Sequence, residues 1–469
     1  MGAVRQSDWK SVLDVAAQAA LDHLESLPDR AVYPKASYGE IRAALDRGLT
    51  NGGLDAAQVV AELAADLGPL VAAHASGRFY GFVIGGLHPA AWGAELLVST
   101  WDQNAGLYPV APGVSVAEEL AGEWLLDLLG LPADCSVGFV TGGQMANFTC
   151  LAAARDQVLR DVGWDVETRG LQGAPHVNVV LKEGVHSTVL RALRFLGLGE
   201  QAAVMVPCDA EDRIHPSALA DVLATVNGPT ILTVEAGNVN TGSFDDFSAV
   251  ADLADVHRAA GNPTWVHVDG AVMLLAAASP SMASYVTGMD RLDSWSTDGH
   301  KLLNVAYDCG VAICRHSAAH RAAMSVQASY LEQGTGARDA MDWNPEFSRR
   351  ARGVPVYATL RSLGRDGVAA LVDRTAGLAR RFADALAASG RAEVVNEVVS
   401  NQVLVRWPGE GVAEAVMAAV RAEGVAFFSG TTYRGERLMR ISVSDWATDE
   451  ADVDRVVESL LRHAAAATG

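Results

Sequence analysis

The chain has 469 residues, half of them hydrophobic, with a mean hydropathy of +0.14 and 36 Lys+Arg against 56 Asp+Glu, a formal net charge of −20. That length supports a large buried core and more than one domain. The acidic balance disfavours a nucleic-acid partner, and no uninterrupted apolar run of about 18 residues offers a membrane span.

From the N-terminus, WKSVLDVAAQAALDHLESL and LDAAQVVAELAADLGPLVAAHA space their apolar residues three and four apart, which predicts helices over residues 1–75. This segment reads as an arm for a second subunit or as a bundle on the same one. The opening MGAVRQSDWK has no charged-then-apolar leader pattern, so a cytoplasmic location is expected.

From about residue 110, β-branched runs alternate with amphipathic helices: SVGFVT, HVNVVLK, AAVMVPC, TILTVEA and TWVHVDG each lead towards a helical stretch. The alternation predicts a mostly parallel, helix-flanked sheet over residues 76–354, with a ligand site at the strands' carboxyl ends. Residues 355–469 change pattern again. A long helical run stopping at Gly390, then EVVNEVVSNQVLVRWP, VAEAVMAAVRAEG and RLMRISVSDW, predicts a small α+β domain with an antiparallel sheet. Five scattered cysteines (Cys135, Cys150, Cys208, Cys309, Cys314) have no partners at zinc spacing, which predicts reduced structural thiols and no metal.

Four strand ends carry polar groups. VHVDG ends on Asp269, and SWSTDGHKLLN follows with His300 and Lys301. A neutral lysine amine is captured by a carbonyl cofactor, and such a cofactor needs an acid at its ring nitrogen. Taken alone, Asp269 and Lys301 fit a buried ion pair or a solvated lysine about as well. GFVTGGQMAN places Gly142, Gly143 and Gln144 at a strand-to-helix turn, where converging amides and a helix N-terminus favour a phosphate, although tight turns also use glycine for steric reasons. His186 stands at the end of the next strand, where a cap or structural role is the commoner one, with Ser187 or Thr188 as alternative caps. VEAGNVNTGSFDDF brings Asn238, Asn240 and Thr241 to a fourth strand end, with Asp245 and Asp246 as helix caps; Asn238 is the better ligand candidate.

These stretches together resemble the group II pyridoxal-phosphate-dependent decarboxylases (the glutamate, aromatic-amino-acid and histidine decarboxylases) from about residue 75 to 455. Asp269-Gly270-Ala271 followed by Asp298-Gly299-His300-Lys301 is the most specific part, with RFYGFVIGG, GEWLLDLLGLP and RISVSDWATDEADV in family order. The resemblance implies the aspartate-aminotransferase-like fold of PLP enzymes (fold type I), a homodimer with shared active sites, and α-decarboxylation of an L-amino acid to an amine. It implies that Lys301 holds the cofactor as a Schiff base, that Asp269 pairs with the pyridine nitrogen, and that Ala271 and His186 lie on opposite ring faces. Gly143, Gln144 and His300 would contact the phosphate. Asn238 would stand where relatives carry a Thr, and Arg440 would face the substrate carboxylate. Phe79, Tyr80, Trp101 and Tyr108 fall in a segment that lines the substrate pocket in relatives, pointing to an aromatic or bulky substrate; they read equally well as core or interface aromatics.

Two departures stand out. Gln144 and Met145 replace a small hydroxyl residue and a Glu common in relatives. Residues 331–352 contain no Tyr where relatives carry the one that protonates Cα. Tyr330 lies just upstream, Trp343 is nearer the expected place, and His186 is a third possible donor. Loss of that Tyr can divert the product towards an aldehyde; an aldolase-type lyase or aminotransferase of the same fold is a further alternative.

Overall fold

The computed structural model describes residues 6–201, 203–326 and 337–468. Helices α1 (Gln6–Ser26), α2 (Tyr38–Leu45) and α3 (Ala56–Leu67) form the N-terminal segment, with α1 packed on α3. Ser37 and Glu40 form a capping box on α2, and Asp55 caps α3, so polar side chains satisfy the first backbone donors. Helices α4 (Pro89–Trp101) and α5 (Pro112–Leu129) each begin with a proline, whose missing N–H is no loss in a first turn.

The alternating region then follows. It contains β1 (Ser136–Val140), α6 (Gly143–Arg160), α7 (Val166–Arg169), β2 (Asn178–Lys182), α8 (Ser187–Phe195), β3 (Val204–Val206) and α9 (Pro216–Leu223). Next come β4 (Thr230–Glu235), α10 (Phe247–Ala259), β5 (Thr264–Asp269), β6 (Ser294–Asp298), β7 (Gly310–Cys314) and α11 (Ser317–Met324). The seven strands lie in the order β1-β7-β6-β5-β4-β2-β3, and only β7 runs against its neighbours. Their central members are buried on both faces, which is why TILTVE and TWVHVD carry apolar or β-branched residues on both sides of the strand.

A 36-residue helix, α12 (Gly353–Ala388), crosses to the C-terminal part. There β8 (Glu393–Val394), β9 (Gln402–Arg406), α13 (Val412–Glu423), β10 (Ser429–Tyr433), β11 (Glu436–Ser442) and α14 (Glu450–Thr468) build a small antiparallel sheet in the order β10-β11-β9-β8. Strand β10 has no apolar run to announce it; SGTTY is a half-exposed edge strand.

The expected domain boundary at residue 354 falls where α12 begins, and that helix serves both cores. Val356, Leu360, Val368 and Val372 pack into the large core, whereas Leu378, Phe382 and Leu386 pack into the small one; Gly364 (φ 62°) kinks the helix within its large-core stretch. Among the described residues no helix is long and apolar enough to cross a membrane, and no cluster of His, Cys, Asp or Glu has metal-holding geometry.

Candidate active site

Strands β1, β2, β4, β5 and β6 point the same way, so their carboxyl ends form one rim. Strand β5 ends on Asp269, and its register partner at the end of β4 is Glu235. Strand β6 ends on Asp298, and the turn after it carries His300 and Lys301. Strand β1 turns through Gly142 into α6, and β2 leads through a short turn to His186, which caps α8 through its Nδ1. Gly143, Gln144, His186, Thr188, Glu235, Gly237, Val239, Asp269, Ala271, Val272, Asp298 and Lys301 line a small, partly open cavity.

At one side of it, Lys301 Nζ lies 3.0 Å from Asp298 Oδ2, while the Gly143 amide donates to Asp298 Oδ1. His300 Nε2 is 3.4 Å from the same carboxylate, and its Nδ1 accepts the Cys309 amide at 3.1 Å. Tyr307 stacks on the His300 ring with centroids 4.2 Å apart. Burial holds His300 below the usual histidine range. The glycines here answer to close approach: a Cβ on Gly143 would stand 2.6 Å from Asp298, and one on Gly310 would stand 2.4 Å from the Gly142 backbone.

On the sheet floor, Asp269 accepts from Asn147 Nδ2 at 3.0 Å and from the Ala271 amide at 3.1 Å. Glu235 is held by Lys182 Nζ and Asn238 Nδ2, each at 2.8 Å, and accepts the His186 amide at 3.2 Å. Burial alone would lower the Lys182 pKa, but Asp245 and Glu235 together carry it above the usual lysine range. A buried ammonium between two carboxylates stays charged because either alternative would leave an uncompensated buried ion.

Lys301, Asp269, His186, Gly143, Gln144 and Ala271 therefore converge on one cavity, and His300 stands behind Asp298. Asn238 takes a different position. It is buried away from the cavity, its Oδ1 accepting the amides of Asn240 and Thr241 at 2.9 and 3.1 Å, and Glu235 lines the wall instead. Three aromatics expected from the sequence to line the pocket are not among the residues that line this cavity within the one chain. Tyr80 lies inside the small-domain core between Phe382 and Phe428, and Phe79 stacks on Phe427 at 4.5 Å. Trp101 is half exposed at the end of α4.

Tyr108 donates its amide to Asp339 at 2.8 Å. Trp343 packs against His320 and beneath Arg338, so its ring is fixed on α11. Tyr330 and residues 331–336 lie outside the described residues. Arg440, on β11, reaches the cavity wall: Nη1 donates to the Val239 carbonyl at 3.1 Å and Nη2 to Ser429 Oγ at 3.4 Å. Its buried Nε has no partner and no carboxylate pairs with it among the described residues, and burial pulls its pKa down to about 10.

Glu235 and Asn147 have no place among the sequence candidates, and Asp298 enters there only as the first residue of the Asp298–Lys301 motif, with no role of its own. Asp298 carried a signal, an acid three residues before the lysine. Glu235 and Asn147 are found only through register and packing.

The donor set suits a phosphorylated pyridine aldehyde. An amine stands beside a carboxylate that can take its proton, a second carboxylate is aimed along the sheet floor, and a helix N-terminus closes the third side. Residues 39–407 match the model of the pyridoxal-dependent decarboxylase conserved domain. The chain is 25% identical to tryptophan decarboxylase 1 of Oryza sativa over 95% of its length and 91% of the relative's. It is 22% identical to 4-hydroxyphenylacetaldehyde synthase of Rhodiola rosea over 96% and 93%. The crystal structure of Oryza sativa TDC with PLP and tryptamine superposes with a TM-score of 0.91 at 22% identity, covering 100% of both chains. That likeness shows the fold, the aspartate-aminotransferase-like fold of PLP enzymes.

Proposed function

The chain belongs to the pyridoxal-dependent decarboxylase family and is a PLP enzyme, and from that premise we propose that it α-decarboxylates an L-amino acid with an aromatic or bulky side chain to the amine and CO₂. The observation that carries this reading is the Lys301 amine beside Asp298 in the cavity whose floor presents Asp269. Lys301 would hold the cofactor's carbonyl carbon, Asp269 its pyridine nitrogen, and Gly143 and Gln144 its phosphate, with Ala271 and His186 on the two ring faces. Pyridoxal phosphate, when bound, supplies the electron sink for the pair that departing CO₂ leaves behind.

The rest falls to this chain's own side chains. Asp269 keeps a proton on the ring nitrogen. Arg440 receives the substrate carboxylate, since a buried guanidinium without an anion gains most from one. His186, whose Nδ1 is engaged by Thr188 Oγ1 at 2.7 Å, has Nε2 left to hand a proton to Cα.

The reading includes a cytoplasmic homodimer. Trp9, Leu13 and Leu21 on α1, Leu63 on α3, and Leu96, Leu97 and Trp101 on α4 are exposed apolar side chains, more than a monomer gains by showing to water. A second copy of the chain is the occupant we propose for this apolar surface. All five cysteines are free thiols, in keeping with a reducing compartment.

A panel of L-amino acids tests the chemistry, with CO₂, amine, aldehyde and peroxide measured together. Amine equal to CO₂ from an aromatic substrate supports the proposal, as does loss of the bound cofactor's visible absorbance in Lys301→Ala. Aldehyde with oxygen-dependent peroxide and no amine would establish the second reading. That reading is favoured by the lack of a Tyr in residues 331–352 and by the similarity to an aldehyde synthase.

A further inference from the structure

A single file of buried hydrogen bonds runs through the floor of the site and ends on Asp269. Trp265 Nε1 donates to Ser294 Oγ at 2.8 Å, and Ser294 Oγ meets His267 Nδ1 at 2.9 Å. His267 Nε2 meets Asn147 Oδ1 at 2.9 Å, and Asn147 Nδ2 donates to Asp269 Oδ2 at 3.0 Å. Trp265, Ser294, His267 and Asn147 are all at most 2% exposed.

The chemistry of the end groups sets the direction of every bond. Indole N–H can only donate, so Ser294 Oγ accepts there and has its own hydrogen for His267 Nδ1. His267 is then the Nε2–H tautomer and donates to the Asn147 oxygen. Ser296 Oγ donates to the same oxygen at 2.6 Å. With its oxygen taken twice, the Asn147 amide cannot flip without turning that oxygen onto the carboxylate of Asp269. Its Nδ2–H₂ therefore faces Asp269, with Thr188 Oγ1 at 3.4 Å as a second acceptor. Thr188 in turn holds His186, so one amide touches the supports of both ring-facing groups. The Cys150 thiol also lies against His267.

We propose that Asn147 is a positioning residue: through the Trp265–Ser294–His267–Asn147 file it holds Asp269 as an acceptor facing the cofactor's ring nitrogen, and so sets how fully that nitrogen is protonated. The inference rests on the PLP reading above and goes beyond it. A donor on Oδ2 and the Ala271 amide on Oδ1 fix the orientation of the Asp269 side chain, and a carboxylate acceptor held at a pyridine nitrogen favours a proton on that nitrogen. Each bond in a buried file polarises the next, so an upstream break reaches the end.

The test uses holoenzyme reconstituted with ¹⁵N-labelled pyridoxal phosphate, reading the ring-nitrogen chemical shift alongside kcat and KM. Asn147→Leu keeps the volume and removes the donor. The expected result is a shift towards the unprotonated position and a kcat reduced at least about tenfold with KM within about twofold, the pattern of a lost transition-state contribution. Ser294→Ala, which touches nothing in the cavity, should move the shift the same way by less, and Ser294→Thr should restore it. If Asn147→Leu does not fold, the Ser294 pair decides alone. An unchanged shift and kcat within about twofold in every folded variant overturns the role of Asn147. Failure of the wild type to bind the cofactor at Lys301 would instead overturn the function.

Discussion

Arg440 Nη1 donates to the backbone carbonyl of Val239 at 3.1 Å, which brings a buried cation of β11 to the cavity wall contributed by the β4 loop. The small domain thereby supplies a charge to a site otherwise built on the large one. Arg440→Met should raise KM for the amino acid by about 10- to 100-fold, the scale of one charge-assisted hydrogen-bonded pair. Inhibition by the product amine, which has no carboxylate, should change little. Equal losses for acid and amine would show that Arg440 serves packing only.

The turn carrying Lys301 is clamped from two sides. Asn304 Nδ2 donates to the carbonyls of Leu302 at 2.7 Å and Ser444 at 3.0 Å, and a Cβ on Gly85 would stand 2.1 Å from the Lys301 carbonyl. Gly85→Ala must push that turn outward, at a cost of about 1–3 kcal/mol. Cofactor affinity, measured by equilibrium dialysis, is expected to fall about tenfold or more while far-UV circular dichroism stays native. Wild-type affinity in this variant would mean that the turn is less tightly held than the geometry requires.

Glu118 and Arg349 form a fork, with Nη1–Oε2 at 2.6 Å and Nη2–Oε1 at 3.0 Å, and both are almost wholly buried. Glu118 also accepts the Gly353 amide at 2.8 Å, so it ties the start of α12 to α5. Removing one partner strands the other ion in the core. Glu118→Ala should cost about 3–5 kcal/mol in urea unfolding, whereas Arg365→Ala, which breaks an exposed pair with Asp127, should cost under about 1 kcal/mol.

Burial pushes the Asp445 carboxyl up to about 6, against acceptor bonds from the amides of Ala447 and Gly77 that act the other way. The folded chain therefore binds this proton more tightly than the unfolded one. Stability from Asp445 is fully present below about pH 4 and is lost as pH rises through about 6. Relative to wild type, Asp445→Asn should gain on the order of 3 kcal/mol in stability between about pH 4 and pH 7. A stability difference that stays flat across that window would contradict the raised value.

The sequence alone determined which residues stand at strand ends. Strand–helix alternation is a local pattern, and it carried Lys301, Asp269, His186 and the Gly142-Gly143 turn to one rim before any packing was known. The motifs at Asp269 and Lys301, written in one dimension, also carry the resemblance to the family whose model matches residues 39–407. What lies beside what is a different matter. Parallel register, set by hydrogen bonds between segments about 34 residues apart, put Glu235 next to Asp269 and moved Asn238 out of the wall. Asn147 looks like an ordinary helical residue until α6 docks on the sheet and its amide meets groups from β5 and β6. Phe79, Tyr80 and Trp101 show the same limit: aromatic character is legible in a sequence, but only packing decided that Tyr80 fills the small-domain core and that Phe79 stacks on Phe427. Strand-end position follows from local periodicity. The partners of a buried polar group follow from long-range contacts, and only the tertiary structure fixes those.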